Sequence, residues 1–146
     1  MTTALNGEQV AKKIGDVSPG AVVAADKTSI IVTSESLFKV AEFLKNAPEL
    51  DFNYLRDLTS VDYMDYFEVV YRLISLTHNH SLVLKTRCYD RDKAVVPSVS
   101  GLWRSAYYME CEVYDLMGII FSGHPNLKRL LLWEGFTGHP LRRDYL

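Results

Sequence analysis

The stretch Phe67–Cys88, FEVVYRLISLTHNHSLVLKTRC, sets the architecture. Two runs rich in β-branched and large apolar residues, Phe67 to Leu76 and Ser81 to Cys88, flank the polar tetrad Thr77-His78-Asn79-His80. Each run has the period of two that suits a strand with one face buried, and the tetrad suits a tight turn, so the pair reads as a β-hairpin. Working back, Phe52 to Val61 reads as a third strand with polar interruptions. Before it, Leu37, Val40, Ala41 and Leu44 repeat at the spacing of one helix face, with Thr33 or Ser34 as cap and Pro48 just beyond the end. Ala21–Ala25 and Ser29–Thr33 are short β-branched runs around Asp26-Lys27, a second hairpin. Residues 6–15 carry a helical stripe of Val10, Ala11 and Ile14, stopped by Gly15 and Ser18-Pro19-Gly20. Working forward, the charged loop Asp90–Lys93 and Val96-Pro97-Ser98 lead into a helix over Leu102–Met117, with Ser98 or Ser100 as cap. The expectation is an α+β fold of two layers: a mixed, mostly antiparallel sheet with helices on one face and an extended C-terminal tail. Residues 1–121 form the domain and residues 122–146 the tail.

With 146 residues, 48% hydrophobic and 23% charged, the chain has the size and make-up of one globular domain. A net charge of −2 gives no electrostatic case for nucleic acid. The tail is locally basic: Lys128, Arg129, Arg142 and Arg143 stand against Glu134 and Asp144. Its twenty-five residues hold three glycines and two prolines, too little to fold alone, so it is expected to lie along another surface. Cys88 and Cys111 have no metal or redox spacing and read as free thiols in a reducing compartment. No apolar run approaches the ~20 residues that cross a bilayer. MTTALNGEQ lacks the basic and apolar regions of a signal peptide, so a membrane link is expected to come through a partner.

The third helix holds the candidate chemistry. At 100° per residue, Leu102, Ala106, Met109, Val113 and Leu116 share an arc expected to pack on the sheet. Trp103, Tyr107, Tyr114 and Met117 form a second stripe with Glu110 in its midst, so a second cover is expected, the tail or another protein. Glu112 and Asp115 fall on the far side with Arg104, Tyr108 and Cys111, and read as solvated or partner-facing charges. Gly118 suits the helix end, where φ is often positive. A carboxylate placed like Glu110 must be paired, hydrogen-bonded or protonated. Gly123-His124-Pro125 and Gly138-His139-Pro140 are tight corners that each present an imidazole. Two histidines are too few for a zinc site, His78-Asn79-His80 reads as a turn, and the sequence sets no base beside Cys88 or Cys111. There is no Walker loop, GxGxxG or GxSxG. These residues point to a scaffold or interaction subunit. The enzyme alternative is a stand-alone hydrolase using Glu110 and His124.

The run Glu110-Cys111-Glu112-Val113-Tyr114-Asp115-Leu116-Met117-Gly118-Ile119, then Phe121-Ser122-Gly123-His124-Pro125-Asn126-Leu127-Lys128-Arg129-Leu130, with Gly138-His139-Pro140-Leu141-Arg142-Arg143-Asp144-Tyr145, resembles the 30-kilodalton (C-type) subunit of respiratory complex I, the proton-pumping NADH:quinone oxidoreductase. Tyr54-Leu55, Val61-Asp62-Tyr63, Trp103 and Ala106 extend the resemblance back to about Phe52. One position departs: the family signature begins Glu-Arg-Glu, and here the middle residue is Cys111. An arginine there would stand four residues before Asp115 and could pair with it. In its absence the balancing charge is expected from Lys128, Arg129, Arg142, Arg143 or a partner.

The resemblance implies a non-catalytic structural subunit of the peripheral arm, supporting electron transfer from NADH to quinone. It implies no cofactor on this chain, with flavin, iron–sulfur clusters and quinone on partner subunits. It implies contacts with the D-type subunit homologue and adjacent iron–sulfur subunits, on the cytoplasmic side of a cell or organellar inner membrane. Related scaffolds occur in membrane-bound hydrogenases and deazaflavin-linked dehydrogenases, which stay open as alternatives. The family motif and interface residues carried over are Glu110, Cys111, Glu112, Asp115, Gly118, His124, Pro125, Lys128, Gly138, His139, Pro140, Arg142, Arg143, Asp144 and Tyr145.

Overall fold

A computed structural model describes residues 2–132 and 137–145. Of the expected tail, residues 133–136, with the charge of Glu134, and residue 146 lie outside the described residues. The central hairpin is present as β5 (Phe67–Ser75) and β6 (His80–Cys88), paired antiparallel with Tyr71 opposite Leu84. Phe67, Val69, Tyr71 and Leu73 of β5, and Leu82, Leu84 and Cys88 of β6, face inward into one hydrophobic core. The opposite sheet face carries Glu68, which pairs with Arg87 at 3.0 Å and Lys85 at 3.7 Å.

β4 (Tyr54–Asp62) joins β5 antiparallel at one edge. On the other side β6 pairs in parallel with β3 (Ser29–Val32), which forms the expected hairpin with β2 (Val22–Ala25). Its turn is held by Asp26, whose Oδ1 accepts the N–H groups of Thr28 and Ser29, both at 2.8 Å. A two-residue strand, β1 (Thr3–Ala4), adds in parallel to β6, making a six-stranded mixed sheet. Helix α1 (Gly7–Val17) is capped by Asn6, and α2 (Leu37–Asn46) follows a single 3-10 turn at Ser34–Ser36. Val10, Ala11 and Ile14 of α1, and Leu37, Val40, Ala41 and Leu44 of α2, enter the core as their spacing predicts. Gly15 does not stop α1; the chain leaves the helix at Ser18.

The third helix differs from expectation in length and rotation. α3 runs Ala106–Met117, not from Leu102, and Ser98 and Ser100 do not cap it. Residues 99–105 instead make tight turns, with Leu102 and Trp103 both bonded to the Val99 carbonyl. Trp103 donates to the Phe52 carbonyl and Ser105 to that of Leu55, which ties this segment to the start of β4. Two further short strands, β7 (Val95–Pro97) and β8 (Ile120–Ser122), bracket α3 and pair in parallel. Ala106 and Val113 do face the core, but Met117 joins them from the second stripe, and Leu116 is only half-buried. Cys111 and Asp115, expected on the open side, are fully buried. A wheel orders residues around the axis but cannot say what covers each arc, and here the chain's own tail covers that side.

Candidate functional site

Several of the expected site residues gather at the C-terminal end of α3: Asp115, Gly118, Gly138, His139 and Arg142. A helix ends with carbonyls that have no partner inside the helix and with the negative end of its dipole. Gly118 takes φ +76°, and its N–H bonds the Tyr114 carbonyl. The next three carbonyls are met by the tail. Asp115 O receives Arg129 Nη2 at 2.9 Å and His139 Nδ1 at 3.1 Å. Leu116 O receives the Leu141 N–H at 3.0 Å, and Met117 O receives Arg142 Nε at 2.6 Å. The basic tail is therefore the cap of α3, with cationic donors where the dipole favours them.

Asp115 is the meeting point. Its Oδ1 accepts from Arg129 Nε at 2.5 Å, and its Oδ2 accepts the consecutive N–H groups of Leu130, Leu131 and Leu132 at 3.2, 2.8 and 3.0 Å. Burial alone would raise this carboxyl, but the guanidinium and the three N–H groups outweigh it and hold it below the usual carboxylate range. The charge expected from Lys128, Arg129, Arg142, Arg143 or a partner thus comes from Arg129. The same guanidinium bonds Gly138 O at 2.7 Å, joining the two legs of the tail. Asp115 is not a solvated charge, because the tail replaces water around it.

Asp62, at the end of β4, is a second anchor that sequence reasoning missed. Arg91 grips both of its oxygens, at 2.6 and 2.9 Å, and the Arg143 N–H adds a bond of 2.9 Å. The paired guanidinium, above all, drives this carboxyl far below its ordinary value. Arg91 also reaches Asp144 at 3.2 Å. Asp62 Oδ1 also accepts the Met64 N–H at 2.8 Å, a local turn bond, but the partners that make Asp62 an anchor, Arg91 and Arg143, are 29 and 81 positions away along the chain.

The hydrogen bonds of Glu110 and of His124 run to other groups of the fold and do not join the two as an acid/base pair. Glu110 is fully buried; Oε1 accepts from Ser98 Oγ at 2.6 Å and Oε2 from the Val99 N–H at 2.9 Å. Burial, partly offset by those bonds, pushes the carboxyl up. His124 Nδ1 accepts the Asn126 N–H at 3.0 Å, which places the ring proton on Nε2, donated to Tyr107 O at 2.9 Å. Cys111 Sγ lies 3.7 Å from that Nε2 and 3.7 Å from Asn126 O. The structure thus supplies the imidazole neighbour that the sequence did not place beside Cys111. Both of its nitrogens are engaged, however, and the thiol is sealed from solvent, so it cannot serve as the base of a nucleophilic cysteine.

The remaining residues do not converge. Glu112, Pro125, Lys128 and Arg143 are exposed; Pro140 lies half-buried in the second corner; the Tyr145 ring packs against Gly138. His78 and His80 each bond a carbonyl of the loop after α2, Pro48 O and Leu50 O, at 2.7 Å. Among the described residues no three His, Cys, Asp or Glu side chains are grouped as a metal site would require, and no helix is long and apolar enough to cross a membrane.

Residues 30–146 match the family model described as respiratory-chain NADH dehydrogenase, 30 Kd subunit. The chain is 42% identical to the C-type subunit of NADH-quinone oxidoreductase from Roseiflexus sp. (strain RS-1), over 97% of this chain and 84% of that protein. It is 38% identical to the corresponding NADH-quinone oxidoreductase protein of Cupriavidus taiwanensis, over 92% of this chain and 72% of that protein. Among solved structures, a trypsin-resistant fragment of Nqo5 aligns with TM-score 0.59 and 31% identity, covering 82% of this chain and 98% of the fragment. A chain of an archaeal membrane-bound sulfane sulfur reductase aligns with TM-score 0.68 at 24% identity, covering 86% of this chain and 75% of that one, a likeness of fold. The matched region holds all but the first residue of β3, with β4 to β8, α2, α3 and the tail that caps α3, and so the chain belongs to the family of the 30-kilodalton, C-type subunit of respiratory-chain NADH dehydrogenase.

Proposed function

We propose that this chain is a non-catalytic structural subunit of the peripheral arm of a complex I-like NADH:quinone oxidoreductase. It packs against the D-type subunit homologue and adjacent iron–sulfur subunits on the cytoplasmic side of the membrane and meets the membrane only through them. Flavin, iron–sulfur clusters and quinone sit on those partners, and this chain supports electron transfer by keeping the arm assembled. The observation that carries the reading is the identity to C-type subunits of NADH-quinone oxidoreductases along almost the whole length. The geometry supports it in two ways. The candidate acid/base groups, Glu110 and His124, make their hydrogen bonds within the fold, as does Asp115. The outer surface of the tail offers large side chains to a partner: Leu131 is 65% exposed and Leu141 59%. On this reading Lys128, Glu112 and Arg143 are contact residues, and the other motif residues hold the surface in shape.

The test is affinity purification of the tagged chain from solubilised membranes. The proposal expects homologues of the D-type and iron–sulfur subunits, with NADH:quinone activity in the eluate and no flavin or iron–sulfur absorbance from the chain alone. Recovery of the chain alone, or with hydrogenase subunits and no NADH-oxidising activity, would overturn it.

A further inference from the structure

The described tail, residues 126–132 and 137–145, is fastened to the domain mainly by polar bonds. The first leg hangs on Asp115 through Arg129 and three N–H groups. The second leg hangs on the α3 carbonyls through His139, Leu141 and Arg142, and on Asp62 through the Arg143 N–H. Within these legs only Leu127 packs as a partly buried hydrophobic against the core, while Leu130, Leu131, Leu141 and Tyr145 are exposed. Where the tail departs, Gly123 has φ +84° with open space about it, so the backbone can turn there without a clash. Beneath the first leg lies the Cys111 thiol, fully buried, with Asn126 O 3.7 Å from its sulfur.

A segment held by exchangeable polar bonds opens at lower free energy than strands held by core side chains. Each carboxylate serves several donors, and loss of one carboxylate releases its tail bonds together. We propose that the two described legs, joined by the bond from Arg129 to Gly138 O, are a releasable strap, latched at Asp115 and Asp62, that lifts from α3 while the sheet stays folded. Lifting it uncovers Cys111, the Asp115 carboxylate and the three terminal carbonyls of α3. This release is a property of the chain by itself and is independent of its place in an assembly.

The two thiols test it in the full chain. Cys88 lies at the end of β6, in the core, where burial pushes its thiol up to about 11; it is an internal control for global opening. Native-state labelling with iodoacetamide, mapped by peptide mass, should modify Cys111 faster than Cys88. Asp115→Asn should accelerate Cys111 roughly 30-fold, the factor for a charge-assisted fastening of about 2 kcal/mol at 1.4 kcal/mol per tenfold, and leave Cys88 unchanged. Asp62→Asn should act in the same direction by a smaller factor. Should Asp115→Asn not fold, Arg142→Ala, which frees the second leg, should give the same selective acceleration. Equal acceleration of both thiols, or no acceleration of Cys111 in any of these variants, overturns the strap.

Discussion

Two glycines that both adopt positive φ separate the cost of backbone conformation from the cost of displacing the tail. Gly118 has φ +76° and Gly123 has φ +84°. A methyl group at Gly123 meets nothing within 4 Å, whereas at Gly118 it falls 2.7 Å from the His139 ring and 2.8 Å from Arg142 Nη2. Gly123→Ala therefore carries only the left-handed penalty, about 1 kcal/mol. Gly118→Ala carries that penalty and must also shift the ends of two side chains whose other nitrogens bond Asp115 O and Met117 O, with loss of both bonds as the upper bound. A hydrogen bond from a charged donor contributes about 2 kcal/mol and a neutral one about 1 kcal/mol, so the total reaches about 4 kcal/mol. The contact part is bounded by the free energy holding the tail, because the tail can lift before the helix unfolds. In urea, with a slope of about 1.5 kcal/mol/M, the midpoint should fall by ~0.7 M for Gly123→Ala and up to ~2.7 M for Gly118→Ala. Gly118→Ala should also speed Cys111 labelling. Midpoint shifts within ~0.3 M of each other would falsify the claim that the tail caps α3.

Stability should depend on pH with two opposed signs. Asp62 and Asp115 have lowered folded values, so their contribution is present above the unfolded carboxylate value near ~3.9 and is lost as pH falls below it. Glu110 has a raised folded value, so its contribution is present below ~4.3 and is lost as pH rises through that raised value. Urea titrations from about pH 3 to about pH 8 should show a loss on the acid side that shrinks in Asp62→Asn; an unchanged acid limb in that variant refutes the assignment. Cys111→Arg should destabilise by about 2 kcal/mol or more, since Asp115 is already paired with Arg129 and the new cation enters a fully buried position beside His124. A stability equal to the parent in thermal denaturation would show that Asp115 has acceptor capacity to spare. Trp103→Phe removes the indole N–H that bonds Phe52 O at 2.9 Å in the core and should cost about 1–2 kcal/mol. No loss in a urea titration would place that carbonyl in contact with water.

Patterns of period two and period 3.6 carried most of the fold. The β5–β6 hairpin, the β2–β3 hairpin and the inner stripes of α1 and α2 follow from local alternation, because each buries a face whose composition is written in consecutive residues. The start of α3 did not follow. Residues 99–105 are apolar and serine-rich like a helix entry, but Trp103 and Ser105 are drawn to carbonyls of Phe52 and Leu55, and that competing set of bonds bends the chain into turns. The short pair β7–β8 escaped because three residues are too few to show a period.

Residue types and their order were enough to pick out what matters at the end of α3. Glu110, Asp115, Gly118, the two Gly-His-Pro corners and the basic tail stand out in the bare chain, and Glu110 among aromatics was already a carboxylate in need of bonds. Their roles came from the folded chain. Asp115 turned from an open charge into a fully buried one, and Cys111 from a surface position into a sealed thiol, because a segment more than ten residues downstream folds back over that side of the helix. A helix wheel is a property of α3 alone, whereas burial, charge pairing and capping are properties of α3 together with the chain that covers it.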